Sequence, residues 1–379
     1  MSAAPHAITK LTLENFRNYP HLQLEVPPMP VVLTGHNGAG KTNILEAISL
    51  LAPGRGLRSA TLRGIDHAGA PWVVAAEVLA REVTHHIGTG RDPESAAEKR
   101  ILKINGQRER KHAVLTQYVS IQWLTPSMDQ IFIEGGTERR KFLDRLTYSF
   151  DPEHAARVTA YESAMRERNR LLTGGARADA YWLSVLEQQM AEHAVAMTFA
   201  RLDALQRIRE SFAAVPPQFT RASFQLQGAL EHWLSEEGMS ALDAETKFAG
   251  RLADLRATDA LRGRASEGPH RSYLEVIHLG KSMKAEDCST GEQKAILLAM
   301  VIAAALARAS WCGMPPILLL DEVISHLDVD KRAALFDLVR TARIQPWMTG
   351  TDAAVFQGLE GYATHLEITG GTVRVGVEK

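Results

Sequence analysis

Gly35-His36-Asn37-Gly38-Ala39-Gly40-Lys41-Thr42 satisfies G-x-x-x-x-G-K-[ST] at every fixed position. Each residue type there has a physical reason. Glycines let successive backbone N–H groups turn onto phosphate oxygens, and the following helix presents its positive end. Lys41 reaches the β and γ oxygens of a nucleotide, and Thr42 offers a hydroxyl to Mg²⁺. The flanks agree: Val31-Val32-Leu33 reads as a short buried strand, and Thr42 to Leu51 as a helix that stops before Pro53-Gly54. Strand, glycine loop and helix in that order predict an α/β fold of the P-loop type.

Far along the chain, Ile317-Leu318-Leu319-Leu320-Asp321-Glu322 reads as a buried strand ending in two carboxylates. In a nucleotide site Asp321 holds the Mg²⁺ shell, and Glu322 positions or deprotonates the attacking water. Taken alone, the segment reads equally as an acidic helix cap after an ordinary strand. Its neighbours decide. Ser325-His326-Leu327-Asp328 follows at once, and Ser289-Thr290-Gly291-Glu292-Gln293 lies upstream, opening an apolar helix from Lys294 to Ala309. Ser289 and the backbone at Gly291 stand where a helix N-terminus binds an anion; in isolation this stretch is an N-cap.

The rest of the chain fills in around these motifs. Ile8 to Val26 alternates apolar and polar residues about Asn15-Phe16-Arg17-Asn18-Tyr19, the pattern of a β-hairpin. Further strands are expected at Trp72 to Leu79 and around Ile101 to Gly106, where Asn105-Gly106 is a strong hairpin signal. Between about Asp151 and Pro216 the period becomes helical. Asp151-Pro152 reads as N-cap and N1, with Val158, Tyr161, Met165 and Leu172 as one apolar stripe. After Thr173-Gly174-Gly175 a second helix, from about Asp179 to Ala214, carries a stripe of Trp182, Leu186, His193 and Met197. The pair predicts an antiparallel helical hairpin inserted into one ATPase core. The expected division is residues 1–150 as the first part of the core, 151–216 as the hairpin arm, and 217–379 as the remainder of the arm lobe and core.

The order of P-loop, serine-glycine stretch, Asp-Glu strand and Ser-His-Leu-Asp resembles the ABC ATPase heads, which carry Walker A, signature motif, Walker B and D-loop in that order. Leu13-x-Asn15-Phe16-Arg17-Asn18-Tyr19, Gly38 to Ile48, Arg139-Arg140-Lys141-Phe142-Leu143-Asp144 and Gly268-Pro269-His270-Arg271 further resemble stretches of the RecF family of bacterial recombinational repair proteins, over nearly the whole chain. The resemblance implies a P-loop NTPase of ABC-head type with ATP and Mg²⁺ as cofactors. In such heads two copies face each other, each Walker A being completed by the partner's signature motif. That assigns Gly35 to Thr42, Ser289, Gly291, Gln293 and Asp328 to nucleotide, and Lys41, Asp321 and Glu322 to catalysis. It also implies slow, DNA-stimulated turnover acting as a switch, ATP-dependent homodimerisation, binding to single-stranded or gapped DNA, recombinase loading, SOS induction and recombination mediator partners. Two departures stand out. The signature reads Ser-Thr-Gly-Glu-Gln after Cys288, and the switch position reads Thr349-Gly350-Thr351-Asp352 with no histidine.

Composition limits the alternatives. The chain has 379 residues, 45% hydrophobic and 23% charged, which excludes a disordered or collagen-like polymer. No apolar stretch is expected to reach membrane-spanning length, and Met1 to Lys10 lacks a signal-peptide core, so the cytoplasm is the expected compartment and no membrane partner is expected. Cys288 and Cys312 lack metal-ligand spacing and read as small buried hydrophobes. A net charge of -1 leaves DNA binding to local basic patches: Lys99, Arg100, Lys103, Arg108, Arg110 and Lys111, with Arg55, Arg58 and Arg63 after the P-loop helix. Gln122 is either a glutamine touching Mg²⁺ or an ordinary strand-end residue. Arg139, Arg140 and Lys141 either meet phosphates, tie the hairpin to the core, or form a solvated helix face. His270 and Arg271 lie either near nucleotide or partner or in a loop of satisfied polar groups. Two rival readings share the nucleotide motifs. An SMC-like chromosome-organising head has coiled coils of hundreds of residues, or a hook with a cysteine pair, which the tip Leu171 to Ala178 lacks. An ABC transporter subunit has a switch histidine and a membrane partner.

Overall fold

The computed structural model describes residues 6–95, 98–174 and 179–375. The end of the hairpin tip, 175–178, and the first five residues of the chain lie outside them. In chain order the elements are strands β1 (His6–Phe16), β2 (Tyr19–Glu25) and β3 (Val31–Thr34), helix α1 (Lys41–Ser49), then β4 (Val73–Ala80), β5 (Val83–Arg91), β6 (Arg100–Ile104), β7 (Gln107–Glu109) and β8 (Ile121–Leu124). Helices α2 (Gly136–Thr147), α3 (His154–Thr173) and α4 (Ala180–Ser211) follow, then β9 (Ala222–Gln227), α5 (Ala229–Ser235), α6 (Ala241–Asp254), α7 (Arg256–Arg262), β10 (Tyr273–His278) and β11 (Met283–Lys284). The chain continues through α8 (Thr290–Cys312), β12 (Ile317–Leu320), α9 (Val329–Thr341), β13 (Pro346–Gly350), β14 (Thr364–Thr369) and β15 (Thr372–Val375).

The chain divides into two units. One takes the residues up to Asp129, Ser211–Thr220 and the residues from Lys294 on; the other takes Gln130–Glu210 and Arg221–Gln293. The first unit holds a six-stranded sheet in the order β15-β14-β3-β13-β12-β8, parallel throughout except for β15 at its edge. Parallel strands covered on both faces need continuous apolar runs. Ile317–Leu320 is buried at every position, and Val31–Leu33 is likewise buried. A second, antiparallel sheet runs β2-β1-β4-β5-β6-β7. Here β4 alternates buried and partly exposed positions, as one-sided cover requires. Asn105 and Gly106 turn β6 into β7 with φ of 50° and 83°, the pair of positive angles that a two-residue hairpin turn demands.

One expectation needs correction. Helix α8 is long and apolar enough, by length and composition, to cross a membrane. Its apolar residues have a core role instead, for Ile296 to Ala305 are each at most 1% exposed inside the first unit. Arg308, also buried, donates to the Thr116 carbonyl at 3.3 Å.

In the second unit α3 and α4 form the antiparallel hairpin. Arg168, late in α3, donates to Glu187, early in α4, whereas His154 at the start of α3 and Arg201 late in α4 both meet Asp144, so the two helices run in opposite directions. At 32 residues α4 is about 48 Å long. Helix α3 starts at His154, because Asp151 accepts from the Glu153 N–H and closes a turn before the first helical residue. Tyr161, Leu186 and Met197 are buried as the stripe predicts, but Trp182 is 41% exposed and Leu183 takes its inward place. The neighbours decide that rotation: Leu183, Leu186, Met190 and Ala194 share the buried side. Charges inside this lobe are paired, as burial requires. Arg168, fully buried, reaches Glu187 at 3.0 Å and Asp259 at 2.7 Å, and Arg201 grips Asp144 at 2.8 and 2.9 Å. Burial pushes the Asp144 carboxyl up, but Arg201 and His154 outweigh it and hold it at about 2.

Candidate nucleotide site

The glycine loop follows β3, at the centre of the parallel sheet, and feeds α1. Gly35, Gly38 and Gly40 adopt φ of 145°, 80° and 115°, angles that side chains disfavour. Two of them are also sterically closed. A Cβ on Gly35 would lie 2.3 Å from the Ile368 carbonyl oxygen, and one on Gly40 would lie 2.5 Å from the Tyr19 hydroxyl and 2.6 Å from Asn18 Nδ2. Ala39 is buried, whereas His36, Asn37 and Gly38 are exposed on the loop's outer side. Lys41, only 4% exposed, folds back to donate to the carbonyls of Gly35 (2.6 Å) and His36 (3.0 Å). Its ammonium therefore stands at the mouth of the loop, 3.8 Å from Glu322 Oε1.

Strand β12 delivers the carboxylates to the same place. Thr42 Oγ1 donates to Asp321 at 2.9 Å (Oδ1) and 3.1 Å (Oδ2), across 279 positions of sequence. A hydroxyl and a carboxylate side by side are the hard oxygen donors that Mg²⁺ takes alongside phosphate and water. Among the described residues no three His, Cys, Asp or Glu side chains cluster as a metal cage, and a nucleotide-borne Mg²⁺ needs none. Glu322 itself has φ of 56°, an uncommon value for a side chain with a Cβ.

The turn between β1 and β2 supports the loop from beneath. Arg17 clasps Glu46 of α1 with both nitrogens, at 2.9 and 2.5 Å, and donates to the Gly64 carbonyl at 2.6 Å. Asn43 of α1 donates to Asn18 at 2.7 Å. Tyr19 is fully buried, and burial pushes its hydroxyl up to about 12. These residues carried the sequence resemblance without an assigned task, and the structure supplies one: they hold α1 and the loop.

Other predicted site residues stand as follows. Gln122 is fully buried within β8, opposite Leu318, whereas Asp321 follows the strand end. The structure does not bring it to the carboxylates. Ser289 precedes α8, and its N–H and hydroxyl both donate to Glu292 Oε2, at 3.0 and 2.9 Å, a capping arrangement closed within the helix's first turn. Lys281 pairs with Glu292, and this pair, followed by the Ser289 bonds, lowers the Glu292 carboxyl to about 2. Gln293 is fully buried and donates to the Cys288 carbonyl at 2.9 Å. Gly291 is exposed, and among the described residues beyond its own helix turn a Cβ there would meet no atom within 4 Å. Asp328 caps α9 through the Lys331 N–H at 2.8 Å, and the Lys331 ammonium lowers its carboxyl.

The basic candidates separate. Arg139 is buried and binds Glu286 at 2.6 Å, Arg140 donates to the Ser272 carbonyl at 3.0 Å, and only Lys141 is exposed. Arg100 is spent on Thr89 Oγ1 and the carbonyls of Gly54 and Leu50, and Arg58 on Asn43 and Glu46. Lys99, Lys103, Arg110, Lys111 and Arg55 remain exposed. His270 is held between the Tyr161 hydroxyl (2.8 Å) and the Ala265 carbonyl (3.2 Å), the satisfied loop residue of the blander reading.

Sequence reasoning quoted Thr349 only within the stretch that lacks a switch histidine and gave it no task. Its hydroxyl donates to Asp321 Oδ1 at 2.7 Å and accepts from the Glu322 N–H at 2.8 Å. No local pattern marks it; the order of three strands does.

Comparison with known proteins follows the same lines. The RecF/RecN/SMC N-terminal domain matches residues 7–363. A "DNA replication and repair protein RecF" of Mesorhizobium japonicum is 44% identical over 377 residues, 98% of each chain, and one of Rhizobium rhizogenes is 44% identical over 97% of this chain and 99% of its own. Among solved structures, the recombination mediator protein RecF-ATP of the RecFOR pathway superposes with a TM-score of 0.85 at 20% identity, covering 99% of both chains. An SMC head domain from Pyrococcus furiosus reaches 0.53 at 16% identity over 98% of this chain and 96% of its own. The fold is thus that of a P-loop ABC-type ATPase head with an inserted helical-hairpin lobe.

Proposed function

The chain belongs to the RecF family, within the group that shares the RecF/RecN/SMC N-terminal domain, and from that premise we propose that it is an ATP-dependent, DNA-binding switch protein of DNA replication and recombinational repair. The observation that carries the nucleotide half is the contact of Thr42 with Asp321, which unites the glycine loop with the acidic strand end. ATP is the ligand: the loop N–H groups and Lys41 take its β and γ phosphates. Mg²⁺ supplies charge neutralisation at those phosphates, with Thr42 and Asp321 as its protein oxygens. Glu322, beside Lys41, orients the attacking water and takes its proton. Its exposure of 31% leaves that water a route in.

Ser289 and the open N-terminal turn at Gly291 serve a second copy's γ-phosphate, so ATP joins two chains and hydrolysis parts them. The exposed cations Lys99, Lys103, Arg110, Lys111 and Arg55 suit backbone contacts to single-stranded or gapped DNA. A dimer closed on DNA at a gap is then the platform for recombinase loading with mediator proteins, and for SOS induction.

The test is light scattering of the full chain with ATP, Mg²⁺ and gapped DNA. The reading expects a mass that doubles only when nucleotide and DNA are both present, and Lys41→Met that stays monomeric. For the trans role, Ser289→Arg and Lys41→Met are mixed: one interface of a mixed dimer keeps an intact Lys41 and an intact Ser289. Nucleotide-dependent crosslinking between differently tagged variants is expected on mixing. If no crosslink forms, while Ser289→Arg alone turns over ATP at the wild-type rate with DNA, the trans assignment fails.

A further inference from the structure

The structure points to a task for Thr349, which the sequence marked only as part of a stretch that lacks a switch histidine. Strand β13 lies between β3, which feeds the glycine loop, and β12, which ends in the carboxylates. Its register sets Met348 beside Leu320 and Gly350 beside Thr34, so Thr349 falls at the strand ends, level with the start of the Asp321-Glu322 turn. It is fully buried.

The hydrogen bonding there has one solution. A backbone N–H only donates, so the Glu322 N–H uses a lone pair of the Thr349 oxygen at 2.8 Å. The hydroxyl's single proton then goes to Asp321 Oδ1 at 2.7 Å. One side chain thereby fixes the rotamer of the first carboxylate and the backbone of the second. The second needs fixing, because Glu322 sits at φ 56°, where a residue with a Cβ stays only when its surroundings hold it. Asp321 accepts from Thr42 as well, so both of its partners pull it toward the loop mouth.

We propose that Thr349 is a positioning residue of the nucleotide site, aiming Asp321 at the metal position and Glu322 at the attacking water through one shared hydroxyl. The inference rests on the ATPase reading above and deepens it. In the stretch where transporter ATPases carry a switch histidine, this chain has a buried hydroxyl that acts on the Asp321 carboxylate and the Glu322 N–H, leaving phosphate contact to the loop.

Thr349→Val keeps the shape and removes the hydroxyl, leaving Asp321 Oδ1 one donor short and the Glu322 N–H unpaired. Binding of a fluorescent ATP analogue without metal should stay within about threefold of wild type, because Lys41 and the loop are untouched. The Mg²⁺ concentration that gives half of the metal-dependent fluorescence change should rise about five- to tenfold, and kcat should fall about ten- to a hundredfold while KM for ATP changes little. Thr349→Ser, which restores the hydroxyl without the methyl, should return both readings to within about threefold. Thr349→Ala is run in parallel, in case Val prevents folding as read by thermal melting; water enters there and the same shifts are expected, smaller. The proposal is overturned if the folded Val or Ala variant matches wild type in kcat and Mg²⁺ midpoint, or if Ser is as impaired as Val, since the methyl rather than the hydroxyl then matters. A wild-type protein that binds no ATP analogue overturns the ATPase reading instead, so the two failures look different.

Discussion

Gly40→Ala adds one methyl group to a loop that has no room for it. The backbone there has φ of 115°, where a residue with a Cβ is strained by about 1–3 kcal/mol. The new carbon would also lie 2.5 Å from the Tyr19 hydroxyl oxygen, 2.6 Å from Asn18 Nδ2 and 3.0 Å from Tyr19 Cζ. Tyr19 is fully buried and Asn18 is tied to Asn43, so neither retreats freely, and reaching ordinary contact requires a shift of roughly 1 Å. The loop has two ways to answer. If it keeps its shape, the strain appears as lost stability; if it moves, the phosphate-facing N–H groups move with it and ATP affinity falls, by about five- to a hundredfold for the same 1–3 kcal/mol. Urea unfolding and fluorescent nucleotide binding on one preparation capture both. Tyr19→Phe on the same background removes the nearest atom and should recover part of the loss, leaving the share due to φ. A Gly40→Ala protein with wild-type midpoint and wild-type affinity would refute the claim that this glycine is set by Asn18-Tyr19.

Three further outcomes are expected. Lys41→Met should lose nucleotide binding in a fluorescence titration, since Lys41 is the lysine that the structure folds onto the loop mouth. Glu322→Gln should bind ATP as wild type does yet release no phosphate in a coupled assay, because an amide does not take the water's proton while Asp321 still serves the metal; wild-type turnover would show another base. His270 should make the protein less stable in acid. Burial lowers it to about 4, and its neutral ring already satisfies both neighbours by accepting from Tyr161 and donating to the Ala265 carbonyl. Between about pH 6.5 and 4 the unfolded chain then binds the extra proton, so stability falls as pH falls through that window, by about 3 kcal/mol at most. Urea midpoints of wild type and His270→Gln should converge toward pH 4, and parallel curves would remove His270 as the cause.

What the sequence reveals depends on how local the cause is. The loop from Gly35 to Thr42, the Asn105-Gly106 turn and the strand Ile317 to Leu320 are each decided by adjacent residues, and each stands where the pattern predicts. Strand Val83–Arg91 escapes such reading because His85, His86, Gly88 and Gly90 break the alternation; its neighbours β4 and β6 hold it extended. The rotation of α4 departs from the stripe at Trp182, since Leu183 fits the same spacing and is buried together with Leu186, Met190 and Ala194. Length and charge hid the fate of α8, whose apolar run looks the same whether lipid or protein surrounds it. Gln122 and Thr349 mark the limit from opposite sides. A glutamine near a strand end attracts attention and is placed inside the strand, while a threonine quoted only for a missing histidine reaches the Asp321 carboxylate and the Glu322 N–H because its strand lies beside the one they follow.

If two copies meet through Ser289 as proposed, its bond to Glu292 sets the terms. A hydroxyl owns a single proton, and in the lone chain that proton is engaged with a carboxylate in its own helix turn. An incoming phosphate therefore competes with an internal rival of the same sign, one that Lys281 keeps in place. Association trades one charge-assisted contact for another instead of adding a new one, and the net gain per site is small. On the proposed function, such an exchange would favour a partnership that forms when DNA gathers two chains and lapses soon after the nucleotide is spent. Replacing Glu292 by a neutral residue should free the proton and lengthen the lifetime of the pair.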